Sequence, residues 1–158
     1  MRFEQQPRTE KISESRKRLL DLEKQGKFVF HGSLENLETL EPKQAYSFGK
    51  KDKSPAVFAT PFTEVAIFRA LINEKALNED SESQFGMDEK GRLHFSASQN
   101  LLDQAKELTG KVYVLEKSKF ENFKGTQCRS EKTVEPIEVI EVPAEDLPAN
   151  IKVIELKK

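Results

Sequence analysis

The residues best suited to chemistry stand together early in the chain, as His31-Gly32-Ser33 at the end of the apolar run Phe28-Val29-Phe30. Imidazole titrates near neutrality, so His31 can bond a substrate hydroxyl or move a proton. A glycine beside it lets a ligand approach the main chain, whose N–H and C=O then act as a donor–acceptor pair. Ser33 adds a hydroxyl. The same tripeptide has a plain structural reading: a strand-end histidine, a turn glycine, and the N-cap of a helical turn over Leu34, Leu37 and Leu40.

The remaining candidates are scattered. Cys128 beside Arg129 could be a thiol of lowered pKa or a cysteine packed in a strand. Arg129 could hold a cofactor phosphate or lie on the surface. Tyr46 sits in a turn-rich basic segment, 43–54, where its ring could close over a base. Lys50, Lys51 and Lys53 could attract a pyrophosphate or a nucleic acid, although Asp52 dilutes them and a charge run ordinarily marks a solvated face. His94 has no partner motif. With two histidines and one cysteine, no multi-His metal site and no internal disulfide can form, and no Cys/His spacing suits zinc. No metal is expected. No glycine-rich loop follows a strand, so Walker and Rossmann phosphate sites are excluded.

These residues need elements to position them. Thr9 to Gln25 has helical spacing at Ile12, Leu19 and Leu22, with Thr9 as N-cap and Gly26 as the stop. Lys27–His31 is a strand, with Phe28 and Phe30 on one face and Val29 and His31 on the other; Gly32 is expected to break it. Pro55–Thr60 (PAVFAT) is a second, buried strand. Thr63 then caps a helix that is apolar nearly all round, hence central. Residues 73–91 are acidic and polar and read as a loop or lid insertion. Leu93–Phe95 is a short strand and Asn100–Leu108 a short helix. The last third is strand-rich: Lys111–Leu115, Thr126–Ser130, Glu138–Val142 and Ile151–Leu156. Helices and strands come first and a largely antiparallel β half follows, which predicts an α+β domain with a split or mixed sheet rather than alternating βαβ units.

A chain of 158 residues suits one domain with residues 1–8 disordered, and can bury a core without disulfides or metals. It is 36% hydrophobic and 34% charged, with 11 Phe and no Trp, so Phe supplies the bulk of the core. The net charge of -1, from 26 basic and 27 acidic residues, disfavours a protein whose main work is gripping phosphate backbones, without excluding a local basic patch. No apolar run approaches the ~18 residues of a membrane helix. The first residues lack a signal-peptide h-region, so the expected compartment is the cytoplasm.

The order FHGS, LEPKQAY, PAVFATPFTEVAIFRA, GKVYVL and VEPIEVIEV resembles the layout of ADP-ribosyltransferase-like proteins, in particular small bacterial proteins of that type. The resemblance runs from about residue 19 to the end. It implies an ADP-ribosyltransferase-like α+β fold, a split sheet with flanking helices, and NAD as substrate. It also implies roles. His31 contacts the nicotinamide ribose, the Gly32 main chain holds the carboxamide, and Ser33 helps hold the ribose. The segment Val57-Phe58-Ala59-Thr60 matches the one that carries the family's ring-stacking residue, so Phe58 and Thr60 are expected among the cofactor-binding residues. The expected chemistry is cleavage of the nicotinamide–ribose bond through an oxocarbenium-like state, with ADP-ribose passed to an unnamed acceptor.

The chain departs from that pattern twice. The stacking residue is often Tyr, and Phe58 can stack but cannot hydrogen-bond; it reads equally well as a core residue. The catalytic carboxylate is expected in TQCRS, where Gln127 stands; an amide has the shape of Glu without its charge. Three readings follow. In one, the protein transfers ADP-ribose, with Glu131 or Glu135 as alternative carboxylates. In a second, it is a degenerate module that binds the nucleotide without turnover. In a third, it resembles the RNA 2′-phosphotransferases, whose site needs several arginines around the histidine.

Overall fold

The computed structural model describes residues 13–42, 46–47, 50–51, 55–73 and 80–156, with backbone alone at 46, 47, 50, 51, 122 and 123. Its elements are α1 (Glu14–Gln25), β1 (Phe28–Ser33), β2 (Tyr46–Ser47), β3 (Lys50–Lys51), β4 (Val57–Ala59), α2 (Thr63–Leu71), β5 (Ser83–Met87), β6 (Leu93–Ser98), α3 (Gln99–Ala105), β7 (Thr109–Glu116), β8 (Glu121–Lys124), β9 (Gln127–Ser130), β10 (Glu138–Pro143) and β11 (Lys152–Ile154). This is an α+β architecture.

Among the described residues, three three-stranded sheets carry it, and β2 and β3 pair apart from them as a two-stranded antiparallel sheet. One has the order β1-β7-β10, all antiparallel; a second has β4-β9-β8, also antiparallel; the third, β11-β6-β5, is mixed because β11 runs parallel to β6. The first two meet at a single residue pair. Phe30 N–H donates to the Thr60 carbonyl at 2.7 Å, and Thr60 N–H donates back to Phe30 at 2.8 Å. Beyond that bridge β1 and β4 part, and His31 is the first residue past the parting.

Strand alternation sorts β1 between two cores. Phe30 packs with Leu19 and Leu22 of α1, with α2, and with Val112, Val114, Ile140 and Val142. Val29, on the opposite face, packs with Tyr113, Leu115, Val57, Ala59 and Cys128. α2 lies at the centre of the first core, burying Val65, Ile67, Phe68 and Leu71, each contributing roughly 1.5–3 kcal/mol.

The approach of α2 explains Gly32. A Cβ there would stand 2.0 Å from the Ala66 carbonyl oxygen and 2.8 Å from the Ala70 nitrogen. Gly110, two strand positions away across the β1–β7 register, would place a Cβ 2.7 Å from that of Ala70. Ala66 and Ala70, one turn apart on α2, sit on these two glycines. Gly32 therefore does not break the strand, contrary to the expectation from sequence. It continues β1, paired with Val112, and Ser33 pairs with Lys111.

Other expectations are corrected by tertiary partners. α1 starts from Ser13, whose Oγ accepts from Arg16 N–H at 3.1 Å, rather than from Thr9. Residues 1–12, with the expected disorder of 1–8, lie outside the described residues. Leu34–Leu40 is not helical. The amides a helix would use are taken elsewhere: Glu35 N–H by Ser33 Oγ at 3.0 Å, Leu37 N–H by the Tyr113 hydroxyl at 2.8 Å, and Leu40 by a two-way bridge to Val134. Thr63 is not the cap of α2 but its first residue; its N–H is capped by Glu23 of α1 at 2.8 Å. Within 73–91, the expected lid, residues 83–87 form β5 in a hairpin with β6, turning on Asp88, whose Oδ1 accepts from the Lys90 and Arg92 amides at 2.9 Å; residues 74–79 lie outside the described residues.

Candidate functional site at the split between two sheets

Peptide groups on a strand point alternately to its two edges. Phe30 directs its N–H and C=O to Thr60, so Gly32, two residues on, turns its N–H and C=O to the same edge. Had the pairing continued, Phe58 would have opposed Gly32. Instead the strands have separated, and the His31 side chain reaches across: Nδ1 lies 2.7 Å from the Phe58 carbonyl oxygen. A carbonyl only accepts, so Nδ1 carries the hydrogen and the lone pair of the neutral ring is on Nε2. One bond thus fixes the tautomer and the ring plane.

Behind the ring stands Tyr113, the direct cross-strand partner of His31, with ring centroids 6.3 Å apart and planes at 57°. Tyr113 is 1% exposed. Its hydroxyl accepts from Leu37 N–H and donates to the Glu35 carbonyl, so the chain leaving β1 after Ser33 is fastened back over β7.

The strands β4 and β9 bring the other sequence candidates to the same region. Phe58 pairs with Arg129, whose guanidinium carbon stands 5.7 Å from the Phe58 ring centroid. The Arg129 side chain is 13% exposed, with Nη2 3.9 Å from Glu131. Thr60 is buried, and its Oγ1 accepts from Phe62 N–H at 3.2 Å, so its hydroxyl serves a turn. The Ala59–Cys128 pair puts Gln127 beside Thr60 at the start of β9, half-buried and two strand spacings from Phe30, about 10 Å. Ser33, at the end of β1, accepts from Glu35 N–H through its Oγ. Tyr46 belongs to β2; its side chain lies outside the described residues.

Glu131 follows β9 at its far end, four residues from Gln127 and so about 13 Å along the strand; both it and Glu135 are exposed. Neither stands where Gln127 does. Cys128 faces the second core, 1% exposed, with Sγ 3.5 Å from the Ala59 carbonyl. Burial pushes its pKa up to about 12, against a small opposing pull from Lys117. It is a thiol at neutral pH, which removes the reactive reading. His94 is exposed, its ring over Gly86. Among the described arginines, Arg16 pairs with Glu64, Arg18 with Glu138 and Arg92 with Asp88, while Arg69 lies over Phe85. Among the described arginines only Arg129 lies against one of these candidates, Phe58, which counts against a site built from several arginines.

Among the described residues no three or more His, Cys, Asp or Glu side chains come together as metal ligands, and no described helix is long and apolar enough to cross a membrane. A groove lined by Phe28, Glu116 and Ile137 lies at the opposite end of β1, and another is lined by Asp80, Glu82 and Glu155; neither includes His31. Sequence reasoning passed over Tyr113. The available signal was one aromatic with a polar tip in the otherwise aliphatic strand Lys111–Leu115. Comparison of the chain with family models, curated proteins and solved structures gives no match.

Proposed function

We propose that this protein is ADP-ribosyltransferase-like and grips NAD at the split between β1 and β4. The observation that carries the reading is the His31–Phe58 bond at 2.7 Å, beside a glycine whose main chain faces the same opening. With Nδ1 committed to a carbonyl, Nε2 is the acceptor for a ribose hydroxyl. The Gly32 N–H and C=O are the complement of a carboxamide, which offers one C=O and one NH2. Phe58 supplies an apolar ring for nicotinamide, and Arg129 a cation for phosphate.

In the reaction the C1′–N bond of the nicotinamide ribose breaks. Its electron pair leaves with nicotinamide, which departs neutral, and the oxocarbenium-like ribose is attacked by an acceptor nucleophile that gives up its proton. A carboxylate would stabilise the developing cation. Gln127 carries no charge, and this favours a second reading, a module that binds NAD without turnover.

The test is calorimetric titration of NAD into the wild type and His31→Ala, followed by assay of free nicotinamide. Binding that is lost in His31→Ala, with nicotinamide released, supports the transferase. Binding without release supports the module, and Gln127→Glu is then expected to release nicotinamide. No binding by the wild type refutes both.

A further inference from the structure

We infer that Tyr113 is a positioning residue for this site, its ring backing His31 and its hydroxyl holding segment 35–37 ready for the ligand; the inference rests on the NAD reading. Two separate contacts converge on one buried side chain. The ring is paired with His31 in the β1–β7 register, 6.3 Å away, on the face opposite α2. The hydroxyl accepts from Leu37 N–H at 2.8 Å and donates to the Glu35 carbonyl. Together with the bond from Glu35 N–H to Ser33 Oγ at 3.0 Å, it fixes the chain that borders Gly32 and Ser33. Burying a tyrosine hydroxyl in an aliphatic core requires partners. Here both partners belong to the segment that follows Gly32 and Ser33, so the hydroxyl acts on the chain that leaves the candidate site. Phenylalanine would fill the same volume and leave the segment untied. A ligand would then have to order that segment on binding, which lowers affinity.

The experiment compares the wild type with Tyr113→Phe in NAD titration and in amide exchange at Leu37. The expected result is faster exchange at Leu37 and an NAD dissociation constant raised about tenfold, the scale of one lost hydrogen bond, with cooperative unfolding retained. Equal NAD affinity in the two proteins overturns the proposal and leaves the NAD reading standing. A wild type that binds no NAD fails in its own titration and takes both down. Should Tyr113→Phe not fold, the wild type decides alone: NAD must further slow exchange at Leu37, and unchanged exchange there overturns the proposal.

Discussion

Gly32→Ala is the sharpest test of how the site is built. The added Cβ would stand 2.0 Å from the Ala66 carbonyl oxygen, 2.8 Å from the Ala70 nitrogen and 3.1 Å from the Ala66 carbonyl carbon. All three are main-chain atoms of α2, so no side-chain rotation relieves the contact; the helix must lift from β1 by more than 1 Å to reach an ordinary separation of about 3.4 Å. Overpacking of this kind costs about 1–3 kcal/mol. With helix backbone as the obstacle we expect about 3 kcal/mol, which lowers the midpoint of a chain this size by roughly 6–12 °C. Urea unfolding followed by circular dichroism measures it. Gly26→Ala is the control: nothing lies within 4 Å, and only its φ of 70° resists a side chain, at about 1 kcal/mol. Ala66→Gly should not rescue Gly32→Ala, because the obstructing oxygen is main chain. A Gly32→Ala protein as stable as Gly26→Ala would refute the packing of α2 on β1.

Three other outcomes are expected. Thr63 Oγ1 is buried and has no hydrogen-bond partner among the described residues, so Thr63→Val should leave the unfolding free energy in urea unchanged or raise it by about 1 kcal/mol; a loss of that size would mean the hydroxyl is bonded. Ser13 Oγ both caps α1 and donates to the buried Asp146 carboxylate at 2.7 Å, so Ser13→Ala should cost about 2 kcal/mol in the same assay, and an effect under 0.5 kcal/mol would sink the account. Cys128 should show no thiolate absorbance in the folded protein until the pH nears 12, against 9.0 for an ordinary thiol. Because the folded pKa is raised, its contribution to stability is whole below pH 9 and is lost as pH rises toward 12. Cys128→Ala should therefore lose less stability than the wild type between pH 8 and 10.5.

How much was legible in the sequence depended on whether a residue's role is local. The alternation of Phe28 and Phe30 against Val29 placed β1 between two cores, and the near-uniform apolarity of 65–72 marked α2 as central, because burial on a given face is written in periodicity. β5 was missed although its turn was visible: Asp88 followed by Gly91, at φ 79°, is a hairpin signal, but the polar character of 73–91 masked the strand before it. The three-residue spacing of Leu34, Leu37 and Leu40 suited a helix, and only Tyr113 and Val134, 76 and 94 positions away, show why none forms. At the candidate site, His31, Phe58 and Gln127 stand out in the sequence only as separate residues. The bond from His31 to the Phe58 carbonyl could not be read there, since it depends on where β4 leaves β1.

Gly32 carries two requirements that act at right angles. A strand points its side chains above and below the sheet and its peptide groups along it. The direction normal to the sheet belongs to Ala66 and Ala70, which forbid a Cβ. The in-sheet direction belongs to the opening beyond the Phe30–Thr60 bridge. Packing alone is enough to demand glycine at position 32, so the glycine by itself is no sign of a ligand, and loss of NAD binding in Gly32→Ala would report a displaced helix as readily as a lost contact. His31 has no such second role against α2. Its side chain lies on the opposite face, where its bond to Phe58 spans strands that no longer pair. His31→Ala therefore removes the proposed NAD contact and the bond to the Phe58 carbonyl while leaving the α2 interface untouched, and that is why the question of function rests on His31 and the question of packing on Gly32.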